Sequence, residues 1–126
     1  MGKLQIDNTN VNVTISREVV SGIAINAAKE IEGIANVTGK FSANDIKALF
    51  VKKNIGNGVR VEYLENGIHI DIFIIVLFGA VIPKVARELQ EHIKESVSTM
   101  TAMNVLSVNV HVVGLSSNKD PKFRNK

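Results

Sequence analysis

The chain has 126 residues, 45% hydrophobic and 21% charged, with no cysteine and a formal net charge of +3. That is the length of one domain, able to bury roughly two-thirds of its unfolded surface; the absence of thiols excludes a disulfide framework, a thiolate metal site and a cysteine nucleophile. The charge is concentrated at one end: Lys119, Lys122, Arg124 and Lys126 against Asp120 give residues 119–126 a net of +3, and basic and acidic groups cancel over the rest. The basic pI is therefore a tail property and argues little for nucleic acid as a partner.

In chain order, Met1 to Ile15 alternates apolar residues with Asn, Thr and Asp, and offers no continuous apolar signal segment. Val11, Val13 and Ile15 predict a first strand. Ser16 is positioned to cap a helix whose first turn carries Glu18. Val19, Val20, Ile23, Ala24, Ala27, Ala28 and Ile31 mark its apolar face, and Gly33 stops it. A short strand is expected over Ile34 to Thr38. Ser42 and Asp45 then resemble a capping box before a short helix through Ile46, Leu49 and Phe50. Val59, Val61 and Tyr63 predict a third strand, and Asn66-Gly67 a hairpin turn into a fourth.

That fourth strand, Ile68 to Phe78, is apolar at both alternating sets from Ile72 onward, so most of it should be buried on two faces. Gly79 ends it, Pro83 suits a first helical turn, and Ile82, Val85, Ala86, Leu89, Ile93, Val97 and Met100 form the stripe of a second long helix. Leu106, Val108, Val110 and Val112 alternate with Ser107, Asn109 and His111 in a last strand. The fold class is α+β: a two-layer domain with two long helices on one side of a mixed four- to five-stranded sheet, order β-α-β-(α)-β-β-α-β. Residues 1–115 form the domain and 116–126 a basic disordered tail.

If the helices cover the face of Ile72, Ile74 and Val76, then Phe73, Ile75 and Leu77 point the other way. Either the Ile46–Phe50 helix covers them, or a second copy does, which makes these three the candidate interface of a homo-oligomer. The longest charge-free run near them, Ile72 to Pro83, falls short of the about 20 residues a spanning helix needs. The chain has no transmembrane segment of its own, and its expected location is cytoplasmic.

Catalytic motifs are missing. Gly39-Lys40 imitates the end of a phosphate loop, but Ile34 and Phe41 occupy its other essential positions. His69 and Asp71, two apart on one strand, share a face and form an incomplete base or metal pair; His111 joins them only if the strands are neighbours. Glu88 and His92 read as a solvated helix pair. Lys47, Lys52, Lys53 and Arg60 make a candidate basic surface, and the element order is similar to RNA-binding KH domains. The chain has no G-x-x-G loop, however, and no aromatics interleaved with those cations. No cofactor or metal is expected.

Three blocks carry a resemblance to a known family. They are Ile15-Ser16-Arg17-Glu18-Val19-Val20 through Glu30-Ile31-Glu32-Gly33-Ile34; Gly58-Val59-Arg60-Val61 with Ile70-Asp71 and Phe78-Gly79 to Ile82-Pro83-Lys84-Val85-Ala86; and Met100-Thr101 through Val108-Asn109-Val110-His111-Val112-Val113-Gly114. Together, over residues 11–115, these resemble the alkaline-shock protein family, also called the Gram-positive cell envelope stress response family. Phe78 replaces a usual Tyr and Lys84 a common Glu; neither departure disturbs the fold. The resemblance implies a non-enzymatic protein that self-associates and is held at the inner face of the membrane by a separate membrane-anchor protein. It carries over no catalytic residue. The alternative expectation is a KH-like RNA-binding module.

Overall fold

The computed structural model describes residues 3–8, 11–40 and 57–123. Strands β1 (Lys3–Asn8) and β2 (Val11–Ser16) form an antiparallel ribbon with Lys3 opposite Ser16 and Asp7 opposite Asn12. The sequence did not mark β1 as a strand. Its apolar alternation rests on Leu4 and Ile6 alone, and Asp7 and Asn8 are strand-poor residues, so pairing to β2 decides its conformation.

Ser16 then switches the chain into α1 (Arg17–Lys29): its backbone is extended, and its hydroxyl accepts a hydrogen bond from the Val19 amide at 3.4 Å. Val20, Ile23, Ala24, Ala27 and Ala28 form the buried side of α1. The helix ends at Lys29, before Gly33, whose φ of +100° turns the chain into β3 (Ile34–Val37). Strand β4 (Val59–Leu64) and strand β5 (Gly67–Leu77) make the expected hairpin. The corner at Gly79, φ +99°, leads into α2 (Ile82–Thr101), with Pro83 in its first turn. Strand β6 (Val105–Ser116) returns parallel to β5.

β5 is the centre of the sheet. One of its edges carries β6 from Ile68 to Leu77. The other edge is shared, with β4 pairing over Gly67 to Ile72 and β3 over Ile74 to Val76, both antiparallel. Phe73 marks the junction: its amide donates to the Gly58 carbonyl at 2.9 Å and its carbonyl accepts from the Thr38 amide at 3.0 Å. The expected helix over Ile46–Phe50 and its capping pair lie outside the described residues.

Both helices cover one face of the sheet. Ile68, Ile70, Ile72, Ile74 and Val76 of β5 are each 0% exposed and pack with Val20 and Ala24 of α1 and Leu89, Ile93 and Val97 of α2. Those five side chains contribute on the order of 10 kcal/mol of gross apolar burial. Where the sequence reads a disordered tail, the chain as far as Phe123 folds back on β3. The Asp120 amide donates to the Ala35 carbonyl at 3.1 Å, and Asn36 Nδ2 donates to Asp120 Oδ2 at 3.0 Å. A 3-10 turn over Pro121–Phe123 then seats Phe123, 3% exposed, in the main core. One apolar side chain in a polar stretch gave no periodic signal to find.

Candidate functional site

Period-two geometry sends His69, Asp71, Phe73, Ile75 and Leu77 to the face of β5 opposite the helices. Strand register then brings their neighbours. Arg60 of β4 lies opposite Asp71, and Ser107, Asn109 and His111 of β6 lie opposite His69, Asp71 and Phe73.

Asp71 is the centre of this group, 3% exposed. Its Oδ1 is 2.9 Å from His111 Nε2, and its Oδ2 is 3.2 Å from His69 Nε2 and 3.3 Å from Arg60 Nη1. A buried carboxylate is costly unless hydrogen-bonded and charge-compensated, and three donors from three strands supply both. On the far side of His69, Nδ1 lies 2.5 Å from Ser107 Oγ. With Nε2–H donating to Asp71, Nδ1 is the acceptor and the Ser107 hydroxyl donates. The His111 ring stacks on Phe73 with centroids 4.6 Å apart and planes 16° from parallel.

Ser107, His69 and Asp71 therefore form a hydrogen-bonded line of the kind that activates a serine. Chemistry would also need a substrate cleft and donors for an oxyanion. Asp71, moreover, divides its charge among three donors. Among the described residues no group of three or more His, Asp or Glu side chains is arranged to hold a metal ion. Both imidazole Nε2 atoms are directed at the carboxylate, not at a shared vacant point. Through Asp71 the cluster links β4, β5 and β6.

The sequence-predicted residues divide accordingly. His69, Asp71 and His111 do meet. Arg60, read as part of a basic surface, is bound to Asp71 instead, and Lys47, Lys52 and Lys53 lie outside the described residues. Phe73 is 0% exposed within one chain, whereas Ile75 and Leu77 are partly buried. Glu88 and His92 do not pair with each other: Lys84 Nζ binds Glu88 at 3.0 Å, and His92 Nε2 reaches across to Glu30 on the end of α1 at 2.6 Å. Ser107 went unnoticed because only strand pairing relates it to His69.

A second feature follows from the corner after β5. Phe78 is 75% exposed, Val81 61%, and Leu115 57%, and the Phe78 amide binds the Ser116 carbonyl at 2.8 Å, so these residues share one end of the sheet. Leu77 adjoins them. Sequence reading gave Phe78 to the strand and Ile82 to the helix stripe; Ile82 is 39% exposed, because the first turn of α2 precedes its contact with the sheet.

Comparison with known proteins places this geometry in context. A model of the alkaline shock protein 23 family, described as having a cell envelope-related function, matches residues 5–117. The chain is 38% identical over 114 residues to the uncharacterized protein YqhY of Bacillus subtilis (strain 168), covering 90% of this chain and 84% of that one. It is 27% identical over 105 residues to a stress response regulator gls24 homolog of Streptococcus pyogenes serotype M3, covering 83% of this chain and 59% of that protein. Among solved structures it is similar to a MamM CTD, with a TM-score of 0.46 and 20% identity over 77% of this chain and 93% of that one, too distant to bear on function.

Proposed function

The chain belongs to the alkaline shock protein 23 family, of cell envelope-related function, and on that premise we propose that it acts as a structural module that self-associates and docks on a membrane-anchored partner, without catalysis. The observation that carries the self-association is the apolar end of the sheet. Phe78, Val81 and Leu115, each more than half exposed, lie at one end of the sheet, where a lone monomer would leave them in water. Ile75 and Leu77, on the sheet face opposite the helices, are partly buried and offer a second apolar contact, whereas Phe73 is buried within its own chain. Among the described residues no helix is long and apolar enough to cross a membrane. The proposal therefore gives the membrane contact to a partner.

Sedimentation velocity on the purified chain and on Phe78→Ser tests the first half. The wild type is expected to populate a dimer or larger species that the variant shifts toward monomer. A wild type that stays monomeric at high concentration overturns it. A fluorescent fusion tests the second half: a peripheral signal is expected, and a diffuse one defeats the docking reading. A nucleoid-centred signal would favour RNA binding instead. Fluorophosphonate treatment is expected to leave Ser107 unlabelled; rapid labelling would refute the non-catalytic reading.

A further inference from the structure

We propose that the outer groove between α1 and α2 is the docking site for a cationic amphipathic helix of a partner protein. This rests on the docking half of the function proposed above and specifies where the contact is made and with what chemistry. The start of α1 lies against the end of α2, and the end of α1 against the start of α2, so the two helices run antiparallel. The groove between them is open to solvent along the length of α1, about 20 Å.

At one end, about 370 Å³ of space is lined by Val19, Gly22 and Asn26 of α1 and by Ser96 and Met100 of α2, among others. Val19 is 50% exposed and Met100 69%, so the rims are apolar side chains without cover. Methionine is well suited to such a rim, being flexible and polarizable. Ile23 and Ala27, both buried, also line this space, and Gly22, exposed and in the interior of α1, adds bare backbone. Glycine destabilises a helix interior relative to alanine, and among the described residues nothing crowds this position. A Cβ built on Gly22 meets no atom within 4 Å. The bare backbone fits the close approach of something outside the chain, as small residues between packed helices do.

Farther along, a second stretch of about 380 Å³ is lined by Glu30, Glu88, Glu91 and Glu95 together with Ile31 and His92. His92 is engaged by Glu30 and Glu88 by Lys84, which leaves Glu91 and Glu95, both exposed, facing the groove with no lysine or arginine in its lining. The surface thus runs from apolar to acidic. Its complement is a helix with apolar residues at three- and four-residue steps and Lys or Arg toward one end, laid in as a third helix. Of the described helices, α1 sets Arg17 and Lys29 against Glu18, a net of +1, and α2 balances Lys84, Arg87 and Lys94 with Glu88, Glu91 and Glu95, so neither is the strongly cationic complement; occupation by a second copy is one outcome of the test.

The test uses the full chain and a fluorescent synthetic helix of about four turns, leucines on one face and lysines on the other, with a counterpart carrying glutamate for lysine. Fluorescence anisotropy should show the lysine peptide binding, with affinity falling as salt rises, and the glutamate peptide not binding. Gly22→Gln places a neutral side chain in the groove at an exposed position where it favours the helix, so folding is retained. It should weaken binding about tenfold or more. The Glu91→Lys, Glu95→Lys double variant should weaken binding and flatten its salt dependence. Unchanged affinity in Gly22→Gln, or equal binding of the glutamate peptide, overturns the proposal. So does dissociation of the self-associated protein by Gly22→Gln, which would assign the groove to a second copy. A peripheral fusion with Gly22→Gln unaffected would remove this site and leave the docking reading standing; a diffuse wild-type fusion would remove the docking reading whatever the peptide does.

Discussion

Asp71 shows how much one buried charge can organise. His69, His111 and Arg60 come from three strands, and their side chains are 18%, 22% and 36% exposed. Water can therefore partly re-solvate them if the carboxylate is lost, and the cost falls below that of a fully buried pair. Asp71→Asn should destabilise the chain by about 1–3 kcal/mol in urea unfolding. Tyr63 makes a second connection between elements: its hydroxyl donates to the Ile15 carbonyl at 2.9 Å, and the Arg17 guanidinium lies 5.2 Å from the ring centroid while its Nε donates to the Val61 carbonyl. Burial raises its pKa above the ordinary 10.0, opposed by the positive charge of Arg17. The neutral phenol is thus favoured in the folded state. Its contribution is complete below pH 10.0 and is lost as pH rises through the higher folded value, where the unfolded chain has already released the proton. Stability should decline in that alkaline window, and Tyr63→Phe should flatten the decline while costing about 1 kcal/mol at neutral pH. The chain has one tyrosine and no tryptophan, so phenolate absorbance reads this group alone.

At the scale of elements, β5 and α2 were legible because a two-residue period passes abruptly to a 3.6-residue one across Gly79 and Pro83. Burial of Leu89, Ile93 and Val97 at 0% exposure follows from that stripe. Pairing was not legible. Alternation states which face of β3 or β4 is apolar but not which edge of β5 it joins, so Arg60 read as surface charge and Ser107 as an ordinary polar residue. His69 and Asp71 could be placed on one face; the other members of their group needed the sheet register. The end of α2 carries a local misfit that the sequence did not announce. Ala102 caps the helix at φ +65°, a left-handed conformation that glycine adopts without a Cβ penalty. Ala102→Gly should stabilise the protein by up to about 1 kcal/mol and raise its melting temperature by about 4 °C in calorimetry.

For the whole molecule, the C-terminal segment is a structural clasp as well as a carrier of charge. Asp120 binds β3 through both its amide and its carboxylate, Lys119 lies 5.9 Å over the Phe123 ring, and Phe123 enters the core. Phe123→Ala should therefore cost about 3 kcal/mol, the loss typical of a buried phenylalanine. A variant as stable as the wild type in denaturant would show that this contact contributes nothing.

The shared edge of β5 has a consequence for synthesis. β3 and β4 leave the ribosome before the strand that both must pair with, and no pairing between them can substitute, because they occupy successive halves of the same edge. β1 and β2 can already pair with each other, whereas β3 and β4 thus emerge without their sheet partner. Translation of β5 gives both strands their template at once, while β6 must wait for α2 to pass. A nascent chain halted before Gly67 would present the apolar faces of α1, β3 and β4 to solvent together, a natural substrate for a chaperone.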